Sequence, residues 1–373
     1  MKFLIITNVQ HKLTENGLFA YAPYVREMNI WLKHVDEVVI VAPKTSELKN
    51  TIDLEYKHKN INFKEIPSIE FTNTKHALSS IFKIPIIISV IFKACKKADH
   101  IHLRCPGNIG MLGCLVQVFF SKKIKTAKYA GNWDPEAIQP LSYNFQKWLL
   151  SNTFLTKNMT TLVYGDWQNQ TKNIKSFFTA TYKKNERQVS KKRFYSGALK
   201  FVFVGGLVEG KRPLFAIQIV EALIKLKYDA TLELYGEGSL KMNLHDYIFN
   251  NNLKSKVKLL GNQNKDIIKN TLKESHFLIL PSKSEGWPKA IAEAMFFGVI
   301  PIATSISCVP FMLDYGNRGV LIEPELEIAI IIIKRNLDNI ERLNTMSEKA
   351  IKWSQKYTLD AFESQIIKLL KAS

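Results

Sequence analysis

Two carboxylates, Glu285 and Glu293, stand eight residues apart in the stretch from His276 to Thr304. Gly286, Trp287, Pro288 and Lys289 follow the first of them. Proline presets φ and lacks the N–H that a first helical residue leaves unused, so Pro288 reads as the opening of a helix over Ala290–Phe297 that Gly298 stops. The free N–H groups and the positive dipole end of such a helix attract phosphate. Helical side chains tilt toward the N-terminus, which turns Glu293 back toward the loop carrying Glu285. A diphosphate on the helix start, a ribose diol on Glu293 and a sugar hydroxyl on Glu285 fit all three features. The competing reading from spacing alone is a solvated loop acid and a solvated helix-face acid.

The elements that must position these groups read as alternating strands and helices. Phe277–Leu280 is a short apolar run closed by Pro281-Ser282, and Val299–Ala303 is the strand after the helix, which together make a β-loop-α-β unit. Its loop lies at the carboxyl end of a strand, where ligands of open α/β sheets bind. Upstream, Phe201–Val204 ends at Gly205-Gly206-Leu207, with Lys211, Arg212 and a helix opened by Pro213 beyond. A Gly-rich turn, a cation and a helix start make a phosphate cradle; the alternative is a plain strand-to-helix turn. Leu232–Tyr235 ends at Gly236-Glu237-Gly238, and Val257–Leu260 at Gly261.

The first half reads as a strand over residues 1–9, a polar loop through Gly17, a helix over 18–33, and strands at Val38–Val41 and Ile61–Ile66. Leu78–Ala98 reads as an amphipathic helix flanked by Lys83, Lys93, Lys96 and Lys97. That helix is either a membrane-surface patch or a core helix with a solvated basic face. Strands at Ile101–Leu103, Lys125–Ala130 and Leu162–Tyr164 end at Arg104, at Asn132 and Asp134, and at Tyr164 and Asp166. Singly these are turn-capping residues; as a set with Gly17 they are candidates for an acceptor site. The domain reading is 1–183, a charged linker over 184–196, a second alternation over 197–355, and a final helix over 356–373.

Leu280-Pro281-Ser282, Glu285-Gly286-Trp287-Pro288, Glu293-Ala294-Met295 and Gly298-Val299-Ile300-Pro301 together resemble the signature of the retaining glycosyltransferases of family 4. That family has a Glu-x7-Glu pair, usually with Gly-Phe-Gly after the first acid; Trp287 and Pro288 replace Phe-Gly here. The resemblance implies the B-type architecture: two doubly wound Rossmann-like α/β domains facing across a cleft, with the last helix crossing back to the first. It implies Glu285 orienting the transferred sugar, Glu293 holding the ribose, and Lys211 contacting the diphosphate. Gly205, Gly206, Gly236, Glu237, Gly286, Trp287, Pro288 and Lys289 then line the donor site. The family's arginine falls on Gly206 in this chain, and Arg212 is the candidate to supply the second cation. The implied donor is a nucleotide-diphosphate sugar, with UDP-sugar favoured, and transfer occurs with retention.

The chain has 373 residues and a net charge of +19. Residues 1–195 carry 29 Lys+Arg against 14 Asp+Glu, so 15 of that excess lie in the first half. Such a basic face meets nucleic acid, an anionic membrane surface or an acidic substrate, unless it is simply lysine-rich composition. No zinc finger, basic zipper or ribonucleoprotein motif supports the nucleic-acid reading. The favoured acceptor is a saccharide or lipid-linked saccharide in capsule, O-antigen or related assembly, met at the inner face of the plasma membrane. Cys95, Cys105, Cys114 and Cys308 form no C-x-x-C pair and read as reduced cytoplasmic thiols. No Asp-x-Asp triplet occurs, so neither a catalytic metal nor another cofactor is expected. The longest apolar run, Ile84–Phe92, is interrupted by Pro85 and falls short of the ~20 residues of a bilayer crossing. A non-catalytic nucleotide-sugar-binding protein and an inverting enzyme of the same architecture are the rivals.

Overall fold

The computed structural model describes residues 1–371 apart from 16, 49–51, 71–73 and 188–192. The middle of the expected linker, 188–192, and Asn16 of the expected polar loop therefore lie outside the described residues. The chain divides into two compact units, unit 1 from Met1–Phe178 with Phe362–Ser373, and unit 2 from Thr179–Ala361.

Unit 1 opens with β1 (Lys2–Ile6), the hairpin β2 (His11–Thr14) and β3 (Gly17–Tyr21), helix α1 (Ala22–Leu32), β4 (Glu37–Pro43), β5 (Asp53–Glu55) and β6 (Ile61–Ile66). It continues with α2 (Thr74–Lys97), β7 (His100–Cys105), α3 (Asn108–Val116), β8 (Ile124–Tyr129), α4 (Leu141–Ser151), β9 (Met159–Tyr164) and β10 (Ile174–Phe177). Seven strands form a parallel sheet in the order β10-β9-β8-β7-β1-β4-β6. Phe3–Ile6 of β1 is a continuous buried apolar run, as expected where helices cover both faces of such a sheet, whereas the equally central β7 alternates and buries His100 and His102.

The first four residues of the helix expected over 18–33 are strand. Residues 17–21 pair antiparallel with His11–Thr14 on one side and with Asp53–Glu55 on the other, and α1 begins only at Ala22. Pro23 in the first turn of α1 marks that later start. The apolar run at Ile84 is not broken either. Pro85 lies inside α2, and Leu78–Lys97 is long and apolar enough by length and composition to cross a bilayer, at mean hydropathy 1.8. Its inner face, Ile87, Ile91 and Cys95, is fully buried in the unit 1 core.

Unit 2 holds β11 (Leu199–Val204), α5 (Pro213–Lys225), β12 (Ala230–Tyr235), α6 (Lys241–Asn250), β13 (Val257–Leu259), α7 (Lys265–Glu274) and β14 (Phe277–Leu280). Then come α8 (Lys289–Phe296), β15 (Ile300–Thr304), α9 (Val309–Met312), β16 (Val320–Ile322), α10 (Leu326–Leu337) and α11 (Ile340–Ser354). Its six parallel strands run β13-β12-β11-β14-β15-β16. The last helix, α12 (Leu359–Lys371), passes from one unit to the other; its Phe362 ring packs at 5.4 Å from Phe177 and 5.8 Å from Phe178. Gly298 ends α8 at φ 77°, a left-handed geometry that other residues adopt only under strain.

Unit 1 buries uncharged imidazoles. Burial pushes His11 and His100 down to about 4, and His102 well below its ordinary range. His11 is bonded to the Tyr56 hydroxyl at 2.8 Å, and His100 to Thr126 Oγ1 at 2.9 Å. A histidine whose folded pKa is depressed contributes its full stability above its unfolded pKa and loses it as pH falls toward the folded value. Thermal unfolding should therefore show destabilisation between about pH 6.5 and about pH 4, on the order of 2 kcal/mol per histidine at pH 5. Replacing His11 by Gln should flatten that dependence between melts at pH 7 and pH 5.

Candidate active site

The site of unit 2 is set by its topology. β11 and β14 are neighbours at the centre of the sheet, and the strand order reverses between them. Open α/β sheets leave a crevice at the carboxyl ends of such a pair. The loop after β11 carries Gly205 and Gly206 and tightens into a 3-10 turn, Glu209–Lys211. The loop after β14 carries Glu285. Main chain ties the two together, since Lys283 N–H donates to the Gly210 carbonyl at 2.8 Å.

Lys211 Nζ donates to Glu285 Oε1 at 2.5 Å. The carboxylate side chain is only 8% exposed and the lysine 31% exposed. Ser282 Oγ donates to the same carboxylate oxygen at 2.7 Å, and the Glu285 N–H donates to Ser307 Oγ at 3.2 Å. Thr304 holds Ser282 in turn, its hydroxyl donating to the Ser282 carbonyl at 2.6 Å. Cys308 donates its thiol to the Gly286 carbonyl at 2.9 Å; burial, with Glu285 nearby, pushes that thiol up and keeps it protonated. A buried carboxylate with a cation and a hydroxyl on one oxygen keeps further lone pairs for a ligand hydroxyl.

Pro288 sits one position earlier than expected. It is the cap residue of α8 at φ −70° and ψ 93°, and Lys289 is the first helical residue. Its ring suits the cap as well as the first turn, because φ is the same and only ψ differs. Trp287 is buried, with its ring 6.0 Å from Trp353 and 5.7 Å from Tyr357, so it anchors the loop against unit 2's own last helices.

Glu293, half-buried in the second turn of α8, accepts a hydrogen bond from Thr181 Oγ1 at 2.6 Å. A recess here is lined by Thr179, Thr181, Tyr182, Lys289, Glu293 and Tyr357. Burial and then the Glu293 charge push the Tyr182 hydroxyl up, so it stays a neutral donor. Thr181 carries no sequence signal, lying 112 positions from its partner. Ser282 belongs to the quoted motif, and Ser307 does not.

Gly236, at φ 150°, packs against the first loop so closely that a Cβ there would meet the Gly205 carbonyl oxygen at 1.9 Å. Gly205 N–H donates to the Tyr235 carbonyl and Leu207 N–H to that of Glu237, at 3.0 Å each. The exposed Glu237 carboxylate pairs with Lys241 at 2.8 Å. Gly206 has room, since a Cβ would approach only Val208 at 3.8 Å and the Glu237 carbonyl at 3.9 Å. Arg212 caps α5 in the left-handed region at φ 49° and has no ion-pair partner among the described residues.

The rim of unit 1 is different in kind. Arg104 Nη1 donates to buried Glu27 at 2.9 Å, and fully buried Lys128 reaches the same oxygen at 3.1 Å. Arg104 also lies 5.3 Å over the Tyr24 ring. Asn132 accepts from the Asp134 N–H, and Asp134 from the Glu136 N–H, each at 2.9 Å, which is turn-capping geometry. Gly17 starts β3, Tyr164 ends β9 with Lys128 5.1 Å from its ring, and Asp166 is exposed beyond it. Arg104 is thus engaged by the fold itself.

Comparison with known proteins places these features. Residues 184–353 match the model of glycosyl transferases group 1. A UDP-Gal:alpha-D-GlcNAc-diphosphoundecaprenol alpha-1,3-galactosyltransferase of Escherichia coli is 34% identical over 152 residues, 40% of this chain and 38% of that protein. An uncharacterized glycosyltransferase of Methanocaldococcus jannaschii is 27% identical over 42% of this chain and 43% of its own. The alignments to both therefore span less than half of those relatives. Protein CapJ of Staphylococcus aureus is 24% identical over 87% of this chain and 88% of its own. Among solved structures, Anabaena Alr3699/HepE in complex with UDP and glucose superposes with a TM-score of 0.67 at 14% identity, covering 100% of both chains. Residues 184–353 thus match the glycosyl transferases group 1, on a chain with the two-sheet α/β fold of the B-type glycosyltransferases.

Proposed function

We propose that the chain transfers a sugar from a nucleotide-diphosphate sugar, UDP-sugar by preference, to a saccharide or lipid-linked saccharide of a bacterial surface polysaccharide. The observation that carries this reading is the Lys211–Glu285 pair at the strand-order reversal of unit 2, one loop away from the start of α8. The family match, the UDP and glucose bound by the Anabaena protein, and the lipid-diphosphate galactosyltransferase support it, as does the capsular polysaccharide biosynthesis glycosyltransferase CapH of Staphylococcus aureus, 25% identical over 31% of this chain.

In this reading the diphosphate rests between Lys211 and the N-terminus of α8, with Arg212 as the second cation. The bond from the anomeric carbon to the diphosphate oxygen breaks as the acceptor oxygen bonds to the same carbon on the same face, which retains configuration. The acceptor proton passes to the departing diphosphate. Fixed positive charge beside that diphosphate stabilises the charge it develops, often the largest catalytic contribution. Glu285 accepts from a hydroxyl of the transferred sugar. Glu293 accepts from the ribose diol, sharing its oxygens with Thr181. No metal is required in this scheme, so excess chelator should leave turnover unchanged.

Glu285→Gln should lower kcat/KM by about a hundredfold or more, the scale of losing one oriented electrostatic contact in a transition state. Glu293→Gln should raise the donor KM roughly tenfold, the scale of a charge-assisted hydrogen bond. Unchanged kinetics in either variant overturns the assignment. The open space at Gly206 favours a second reading, a nucleotide-sugar-binding protein of weak turnover. Gly206→Arg would place a guanidinium beside the first loop without a Cβ clash. Turnover that appears only in this variant assigns the native chain to binding; turnover already present in the native chain, with UDP-sugars tried first, assigns it to transfer.

A further inference from the structure

The helical layer on one face of unit 1 carries an apolar outer surface that nothing among the described residues covers. The crossovers β6-α2-β7, β7-α3-β8 and β8-α4-β9 all run in one direction across the sheet. Right-handed connections therefore place α2, α3 and α4 in one layer, and α3 packs beside both of the others.

Phe82 and Ile86 on α2, four residues apart, share one stripe and are 78% and 58% exposed. Phe119, just past α3, is 77% exposed, with its ring 6.3 Å from Phe92 of α2. Leu141 and Trp148 of α4, seven residues apart, are 87% and 55% exposed, and Phe145 stacks on Trp148 at 5.6 Å. An exposed apolar surface spread over three adjacent helices is an interaction site rather than scatter.

Its charge selects the partner. Lys93, Lys96 and Lys97 are exposed on the last turns of α2. Across residues 78–157 the exposed charges are Lys93, Lys96, Lys97, Lys122 and Lys157 against Asp99 and Glu136. A second copy of this chain would bring the same positive charge face to face, which repels. A bilayer with anionic headgroups offers both an apolar interior for the aromatic side chains and phosphate for the lysines. The helix lies on that surface rather than spanning it. Its opposite face, Ile87, Ile91 and Cys95, is fully buried in the unit 1 core, and leaving the sheet would empty that core. Only 22% of the most apolar window of α2 is buried, however, so its other side is free to meet lipid.

We infer that the α2–α4 face docks unit 1 on an anionic bilayer surface. Phe82, Phe119 and Trp148 enter the boundary between headgroups and acyl chains, and Lys93, Lys96 and Lys97 contact lipid phosphates. The docking does not depend on glycosyl transfer and is read without turnover.

Flotation of the full chain with phosphatidylcholine vesicles, with and without phosphatidylglycerol, tests it. Trp148 is the one exposed tryptophan of six, so its emission supplies an internal probe. Co-flotation with phosphatidylglycerol vesicles, weakened by salt and accompanied by a blue shift, is the expected result. Phe82→Ser with Phe119→Ser should weaken vesicle affinity at least tenfold. Lys93→Glu, Lys96→Glu and Lys97→Glu together should remove the preference for phosphatidylglycerol. Both sets should leave the melting temperature and donor turnover on a soluble acceptor unchanged. Any of four results overturns the inference: no flotation at low salt, equal flotation of the variants, a dimer that Phe82→Ser disperses, or retention through an alkaline carbonate wash, which marks a spanning helix.

Discussion

A carboxylate shielded from water must be paired, and in unit 2 that requirement binds two loops into one site. Glu285 is buried by the turn that follows β14, and Lys211 of the loop after β11 is the cation within reach. The pair forms because β11 and β14 are adjacent at the one place in the sheet where the strand order reverses. Removing either partner strands a charge, at a cost of roughly 3–5 kcal/mol where burial is complete and less here, since Lys211 is about a third exposed. That partial exposure is also what leaves the lysine able to serve a second anion. Ser282 holds the carboxylate itself, while Thr304 and Ser307 hold the turn that carries it.

Unit 1 answers the same requirement with a closed solution. Glu27 is as deeply buried as Glu285 and takes two cations, Arg104 and Lys128. The rings of Tyr24, Tyr164, Phe177 and Phe362 pack around them, and Lys128 has no exposed side-chain surface. Two ion-pair clusters with similar ingredients thus differ in what remains available. In unit 2 one member faces solvent beside a helix start, whereas in unit 1 the charges are consumed by packing. Charge type and position at a strand end, which is all a sequence displays, do not separate these cases.

The parts legible in the sequence were those decided locally. Ile61–Ile66, which alternates apolar and polar residues, and the apolar run Phe277–Leu280 are strands with the expected bounds, and the helix and strand that follow β14 are each displaced by a single residue. The hairpin at 11–21 was not legible. Leu18-Phe19-Ala20 lacks β-branched residues, and its pairing with Asp53–Glu55 is set more than thirty positions away. β10 carries no clear sequence signal, because Ile174–Phe177 is half polar and lies at the sheet edge, with β9 as its one neighbour. At the site, Glu285, Lys211 and Glu293 stand out through the motif that resembles family 4, whereas Thr181 and Ser307 reach it only through the fold.

The uneven net charge shows the same limit in another form. An excess of 15 in the first 195 residues suggests one basic surface, yet not all of it reaches the surface. Arg104, Lys125 and Lys128 are turned inward. Lys125 is held by the carbonyls of Gln117 and Phe120 at 3.4 and 3.1 Å, and burial lowers it to about 8. Glu27 offsets part of the charge of Arg104 and Lys128, and none of the three presents its charged group for direct contact with a partner's surface. Lys93, Lys96 and Lys97 are exposed on the same helix as Phe82 and Ile86, and Lys122 lies close after Phe119. Location therefore decides what the charge can do: on α2 and just past α3, exposed cations sit beside exposed apolar side chains, and the inferred bilayer docking rests on that pairing.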